Sequence, residues 1–310
     1  MSTISVIIPN YNHGRYLKQR INSVLNQTFQ DYELIILDDA STDNSRDIIE
    51  AYRDNPHISH IVYNEKNGGT PFKQWDKGIE LASGEWIWIA ESDDFADERF
   101  LEVLWGKVKA NPSVGFAYTA TYFVNEMGDI IGQSRTNEHC QPNYCVHESQ
   151  RFIKERLLIR NTIDNVSECI FKKELYHPEK RHLYEDMKLC GDWFFYVLLL
   201  EQTKVLEVYD LLSSYRKHSS NTVISTEHLG KTFTEGIDIY KYISQNIMNY
   251  TIQDKQKIAR YWLVNKDLYH YSDNTNREIR NLYFKELPSV VTYYYILSFG
   301  HSIKHFFKGR

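Results

Sequence analysis

The sequence predicts an α/β fold, a mostly parallel sheet with helices on both faces, followed by a helical C-terminal extension. Three observations carry this reading. Short β-branched runs alternate with segments of helical periodicity through the first third of the chain. A polar or glycine-containing stretch follows each run at once. Beyond Ser225 the strand signals stop, and helical patterns rich in Lys, Tyr and Ile take over. Strand-helix-strand crossovers at this spacing are right-handed and lay each helix on the sheet, which gives a layered, Rossmann-like architecture.

Ile4-Ser5-Val6-Ile7-Ile8, stopped by Pro9, predicts a buried first strand. Leu17, Ile21, Val24 and Leu25 then recur at helical spacing. Tyr32 to Leu37 predicts the second strand, ending at Asp38-Asp39. Ser41 or Thr42 is the expected cap of the next helix, with Asp43 in its first turn and Ile48, Ile49 and Tyr52 on its apolar face. Ile58 to Tyr63 predicts a third strand leading into Gly68-Gly69. Phe72, Trp75, Ile79 and Ala82 share one helix face, and Gly84 is expected to end that helix in the left-handed conformation. Trp86-Ile87-Trp88-Ile89 predicts a fourth strand, with Glu91-Ser92-Asp93-Asp94 directly behind it. Open α/β sheets bind ligands beyond the carboxyl ends of their strands. The polar residues after Ile8, Leu37, Tyr63 and Ala90 are therefore expected to meet in one crevice.

A helix and a strand are expected between Phe100 and Tyr122, a hairpin or loop over Asn125–Tyr144, and a core helix over Phe194–Leu200. The predicted division is a domain over 1–225, halved near residue 99, and a helical extension over 226–310.

Composition excludes several classes. A net charge of -5 argues against a nucleic-acid-binding surface, which carries a basic excess. With 42% hydrophobic and 25% charged residues the chain is that of an ordinary globular protein. Cys140, Cys145, Cys169 and Cys190 form no C-x-x-C pair and suit a reducing compartment. The N-terminus runs straight into a strand without a signal-peptide pattern, and no apolar run approaches the ~20 residues of a membrane span. The expected location is the cytoplasm. The 23 tyrosines fit sugar stacking, but they fit cores and interfaces as well.

Three carboxylates crowd Glu91-Ser92-Asp93-Asp94. Without a counter-ion they repel one another, and a hard divalent cation such as Mg2+ or Mn2+, sharing its shell with phosphate oxygens, relieves that repulsion. The plainer alternative is a solvated loop whose acids favour a helix N-terminus. Asp38-Asp39 ends the second strand, where a carboxylate can accept from a base N–H or a ribose hydroxyl, or can act as a cap or turn residue. After strand one the chain reads Pro9-Asn10-Tyr11-Asn12-His13-Gly14, which is neither G-x-G-x-x-G nor a P-loop.

Val6-Ile7-Ile8-Pro9-Asn10-Tyr11-Asn12, Leu37-Asp38-Asp39-Ala40-Ser41-Thr42-Asp43 and Glu91-Ser92-Asp93-Asp94 jointly resemble glycosyltransferase family 2, as do Asn67-Gly68-Gly69 and Gly78. The resemblance spans residues 4 to 94 in order and spacing. It implies the GT-A fold and an inverting transfer of sugar from a nucleotide donor, usually a UDP-sugar. Residues 1–99 would then be the nucleotide-sugar-binding half and 100–225 the acceptor-binding half. It also implies that Pro9, Tyr11 and Asp39, with Asn12, Asp38 and Gly69 beside them, hold the nucleotide. Asp93 would sit near the ribose and the metal, and Asp94 would bind Mn2+ or Mg2+ at the diphosphate. Glu91 stands where the family more often has Asp, and Trp75 and Asp76 replace its usual Arg and Asn. Lys73 and Lys77 could supply the missing cation, although a solvated helix face explains both.

An inverting transfer needs a base to take the acceptor's proton. Gly191-Asp192-Trp193-Phe194-Phe195 resembles the family's acid-plus-aromatic motif and makes Asp192 the choice, with a helix cap as the alternative. Glu185 and Asp186 are its rivals. Tyr215-Arg216-Lys217-His218-Ser219-Ser220-Asn221 resembles the family's Y-R-x-H segment. It implies Arg216 on the diphosphate and His218 near the metal.

Val290 to Phe299 is aromatic and apolar, and Lys304, Lys308 and Arg310 follow it. Such a helix can lie on an anionic membrane surface, which suits a glycan or lipid-linked glycan acceptor, or it can pack on the domain or on a second subunit. By analogy the setting is bacterial surface polysaccharide assembly. The rival functions are a nucleotidyltransferase and a scaffold module with a decayed site.

Overall fold

A computed structural model describes residues 2–134, 142–218 and 230–308. Cys140, the Ser219-Ser220-Asn221 end of the histidine motif and Arg310 lie outside the described residues. The side chains of Lys304 and Lys308 lie outside them too. The chain divides into two compact units.

The first unit takes Met1–Ser149, Ile163–Asp186 and Leu198–Ser219. Its sheet starts with β1 (Ile4–Asn10), β2 (Tyr32–Asp38), β3 (Ile58–Tyr63) and β4 (Trp86–Ile89), in the spatial order β3-β2-β1-β4. All three contacts between these strands are parallel. Every residue of β1, β2 and β4 is buried, as expected of strands covered on both faces, whereas β3 at the edge is half-exposed. The connecting helices are α1 (Gly14–Leu25), α2 (Ser45–Glu50) and α3 (Pro71–Leu81).

Past β4 the sheet changes direction. β5 (Phe95–Ala96) and α4 (Phe100–Ala110) lead to β6 (Val114–Val124), which forms a hairpin with β7 (Ile130–Gln133). β8 (Tyr144–His147) and β9 (Cys169–Lys172) follow, the latter antiparallel to both β4 and β6. β10 (Lys204–Arg216) lies parallel to β6 and antiparallel to β5 and β8. The strand order thus reverses at β1/β4. That switch point is where a ligand crevice opens in such sheets.

Two local expectations change. The second helix begins at Ser45, after Asn44, and not at Ser41 or Thr42. Ser41 Oγ instead accepts the Asn12 amide at 2.9 Å, and Asp43 accepts the Gly14 and Ser45 amides. α3 ends at Leu81, and Gly84 does not have the positive φ of a left-handed cap. A Cβ there would lie 2.7 Å from the Ser5 amide nitrogen, so glycine is required by close approach to β1.

The second unit gathers Gln150–Thr162, Met187–Val197 and the described part of Ser220–Arg310. It contains most of α6 (Gly191–Leu199), which follows the short α5 (Ser149–Phe152). The helices α7 (Lys231–Tyr242), α8 (Ile252–Tyr269), α9 (Asp273–Glu286) and α10 (Pro288–Lys308) complete it. Thr251 and Asp254 form a reciprocal capping box at α8, and Ser272 caps α9. Stacked and edge-on rings fill the interior, with Trp262 at 4.0 Å from Tyr294 and 4.8 Å from Tyr283 between ring centroids. No helix among the described residues is long and apolar enough to cross a membrane.

Candidate active site

The site forms at the carboxyl ends of β1, β2 and β4 in the first unit. Asn10 and Asp38 are register partners, and Asn10 Nδ2 donates to Asp38 Oδ1 at 2.9 Å. Asp38 Oδ2 accepts from the Ser41 amide and from Arg46 Nε at 3.2 Å, so this buried carboxylate ties the loops together. Asn12, at φ 56°, accepts the Thr42 amide on its Oδ1 at 2.7 Å. Asp39 accepts from Asn64 Nδ2 at 2.7 Å, Gln74 Nε2 at 2.8 Å and the Gly68 amide at 2.9 Å. Gly69 follows at φ 83°, its amide held by Asn67 Oδ1 at 2.7 Å. Pro9 is buried in β1, while Tyr11 is 45% exposed just beyond it.

The four residues read as metal ligands separate into two pairs. Asp93 Oδ2 lies 2.8 Å from His218 Nε2, and Asp93 Oδ1 lies 4.0 Å from His13 Nδ1. One nitrogen of each ring and one Asp93 oxygen fall within 4.8 Å of one another. Burial opposes ionisation of Asp93, but the His218 hydrogen bond and the two imidazoles hold its carboxyl below the ordinary value.

Asp94 and Glu91 are engaged inside the protein instead. Asp94 is fully buried, and its Oδ2 accepts from Ser167 Oγ and Asn165 Nδ2, both at 2.8 Å. Its Oδ1 accepts the Arg216 amide at 2.9 Å. Burial and the neighbouring Asp93 push Asp94 up to about 7. Glu91 Oε1 accepts the Trp75 indole N–H at 2.6 Å, and burial and Asp93 push its carboxyl up to about 8. Both Asp94 oxygens and Glu91 Oε1 thus serve donors within the protein, and the raised values of the two carboxyls follow from burial and from the neighbouring Asp93 carboxylate.

Arg216 is placed differently from its expected diphosphate contact. The buried guanidinium donates from Nε to the Asp93 carbonyl at 2.7 Å and from Nη1 to the Asn125 and Glu126 carbonyls. Its Nη2 donates to Gln19 Oε1 at 2.8 Å, and Tyr16 lies against it. The side chain clamps the end of β10 to the acidic loop, which fixes His218 two residues on. Arg20, which sequence reasoning missed, lies fully buried on the apolar face of α1. Its Nε donates to the Glu91 carbonyl at 2.7 Å, and its Nη2 stands 3.9 Å from Asp94 Oδ2. Burial lowers it to about 10 against the attraction of Asp94, Asp93 and Glu91. A charged residue three positions after Leu17 in an apolar stripe was its signal. His13, Asn165 and Ser167 carried no comparable local signal, because their partners are distant in sequence.

Of the rivals for the base, Glu185 offers its backbone carbonyl to Thr70 Oγ1 at 2.6 Å. Asp186 is strongly exposed and pairs with Lys73 Nζ at 2.8 Å. Lys77 Nζ donates to Asn64 Oδ1 at 2.6 Å. Asp192 belongs to the second unit, at the start of α6, where Asn161 Nδ2 donates to its Oδ2 at 2.9 Å and the Trp193 amide to its Oδ1. Burial pushes Asp192 up to about 6, into the range of a working base. A separate open groove of about 760 Å³ runs between α1 and the Phe95–Glu98 stretch and holds none of these site carboxylates.

With this geometry in place, comparison with known proteins decides the family. The model of glycosyl transferase family 2 matches residues 5–177, more than half of the chain. The chain belongs to glycosyl transferase family 2. It is a glycosyltransferase with the GT-A fold and a helical C-terminal region. The glycosyltransferase GlyG of Streptococcus pneumoniae is 28% identical over 239 residues, covering 72% of this chain and 73% of GlyG. TarP of Staphylococcus aureus, a poly(ribitol-phosphate) beta-N-acetylglucosaminyltransferase, is 38% identical over 117 residues, 36% of this chain and 35% of TarP. The crystal structure of S. aureus TarS 1–349 in complex with UDP-GlcNAc shares the fold at a TM-score of 0.68 and 18% identity, covering 93% of this chain and 81% of that one.

Proposed function

We propose that this glycosyltransferase takes a sugar from a UDP-sugar and places it, with inversion, on a hydroxyl of a glycan or lipid-linked glycan, with the help of Mn2+ or Mg2+. The observation that carries the reading is the facing pair Asp93–His218 at the sheet's switch point, in the same loop layer as Asp39. The UDP-GlcNAc complex of TarS and the beta-transferring TarP support the donor and the stereochemistry. The ionised Asp93 and the imidazole of His218 form a donor set that fits a divalent cation. When bound there, the cation would neutralise diphosphate charge.

In this reading Pro9, Tyr11 and Asn12 line the nucleotide. Asp39, aligned by Asn64, Gln74 and Gly68, accepts from the base N–H. Asp38, Asp94, Glu91 and Arg216 hold the loops in shape. Asp192 takes the acceptor's proton as the acceptor oxygen bonds to the anomeric carbon and UDP leaves with the bonding pair. We also assign α10 a peripheral contact with an anionic membrane surface at the cytoplasmic face, since Tyr295, Ile296 and Phe299 are exposed on it. The sequence from 288 to 310 contains no Asp or Glu.

Calorimetric titration of UDP and GDP, with and without Mn2+, tests the donor site on the wild type and on Asp93→Ala. UDP binding that needs the cation and is lost in Asp93→Ala is expected. No binding of either nucleotide would overturn the reading in favour of a scaffold.

A further inference from the structure

The acidic loop meets a second histidine that neither the sequence motifs nor the family assignment explains. We infer that His13 is a third protein ligand of the cation, which turns the site into a His-Asp-His centre that prefers Mn2+ over Mg2+. The inference rests on the cation-dependent reading proposed for Asp93 and His218.

The position of His13 is fixed from both sides. It stands at the start of α1, where its carbonyl accepts the Tyr16 and Leu17 amides at 2.8 and 2.9 Å. The next residue, Gly14, donates its amide to Asp43 at 2.8 Å. Ser92 Oγ, 2.9 Å from Nδ1, restrains the ring against the acidic loop. The His13 and His218 rings meet edge-on, their centroids 5.8 Å apart at 81°, so their nitrogens can converge on a common point without stacking. Asp93 divides its carboxylate between them, one oxygen towards each ring. Donor atoms within 4.8 Å of one another need only a small inward movement to reach a shared ion, since metal–nitrogen bonds are about 2.1 Å long.

The donor chemistry sets the preference. Mg2+ favours an all-oxygen octahedral shell and keeps its waters, whereas imidazole nitrogen suits the later first-row ions. One imidazole beside one carboxylate leaves that choice weak. A second imidazole strengthens it, because two of three protein ligands are then nitrogen. The His13 and Asp93 side chains are partly accessible, which leaves a solvent-facing side for substrate oxygens, while His218 is held deeper.

The test uses the whole 310-residue chain, first without nucleotide. Mn2+ binding is followed by loss of the free-ion paramagnetic resonance signal, and Mg2+ is measured by competition. His13→Ala and His13→Gln are compared with the wild type, and their thermal midpoints confirm folding. About a tenfold loss of Mn2+ affinity in both variants, with Mg2+ affinity changed by less than about twofold, is expected. An unchanged Mn2+-to-Mg2+ ratio in both variants, with binding still lost in Asp93→Ala, would overturn the role of His13 and leave the Asp93–His218 site standing. If the wild type binds neither cation with or without UDP, the cation-dependent reading itself fails.

Discussion

The two compact units bury different things. The first holds Arg20, Asp38, Asp39, Asp94, Glu168 and Arg216 almost or wholly out of solvent. In the second, Asp254 is buried and serves the capping box of α8 and the Lys154 ion pair, and Asp192 is partly buried at the head of α6. The second unit fills its interior with rings instead, among them Trp193, Tyr240, Trp262 and Tyr283. Removing a charge from water costs several kcal/mol unless partners compensate, whereas ring burial is favourable on its own. The first unit holds Arg20, Asp38, Asp94 and Arg216 in hydrogen-bond networks that tie together the loops behind β1, β2 and β4.

Asp192 is where that contrast can break, since the second unit holds this carboxylate at the head of an otherwise apolar helix. Asp192→Asn is expected to lower kcat by about 10²- to 10⁴-fold while changing UDP affinity by less than about twofold. In the wild type, kcat/KM should fall as pH drops through about 6, because the base must be ionised. Stability carries the opposite sign. A carboxyl raised in the folded state stabilises fully below its ordinary value, and that contribution is lost as pH rises through about 6. Near-normal turnover in Asp192→Asn would make the residue a helix cap and move the search for the base to Glu185 or Asp186.

Arg20 and Trp262 sharpen the comparison from each side. Arg20→Met strips the buried cation from Asp94 and the Glu91 carbonyl, and should cost about 3–5 kcal/mol by denaturant titration. The double variant Arg20→Met/Asp94→Asn should cost less than the sum of the two single variants, because the orphaned charge is gone. Trp262→Ala should cost a similar 3–5 kcal/mol through its cavity, with no such rescue by a neighbouring change of charge. Additive behaviour at Arg20 and Asp94 would show that the two act independently, and that the network is a set of separate contacts.

Much of this architecture is legible in the amino-acid sequence. β1, β2 and β4 follow from apolar runs whose burial on both faces needs no polar alternation, β3 follows from its run although the edge leaves it half-exposed, and the region beyond Ser225 is legible as helical without its individual helices. The site is legible where its residues are contiguous, as in Asp38-Asp39 and the acidic loop. It is hidden where the partners come from far along the chain. Asp94 reads as an open ligand because Asn165 and Ser167, which occupy one of its oxygens, lie in a turn with no pattern of its own. Arg216 reads as a phosphate partner because nothing local reveals that its donors face the Asn125 and Glu126 carbonyls. Gly84 reads as a helix end because close approach to a strand leaves no sequence trace different from a cap.

The smallest effect concerns the outer surface of the second unit. On α10, Val290, Val291 and Tyr294 are buried, with Tyr294 stacked on Trp262, so one face of the helix already has its partner. Ile296 and Phe299 are 61% and 72% exposed on the same helix. Changing Ile296 and Phe299 to Glu should therefore alter stability by less than about 0.5 kcal/mol per site, as for exposed positions in general. If α10 rests on an anionic lipid surface, the same pair of changes should lower co-sedimentation with phosphatidylserine-containing vesicles, since each introduced carboxylate meets both an apolar layer and like charge. Soluble-acceptor turnover should stay at the wild-type level, because the change leaves the crevice of the first unit untouched. Equal sedimentation of variant and wild type would remove the membrane assignment. A variant that instead loses a concentration-dependent dimer would assign the face to a second copy of the chain.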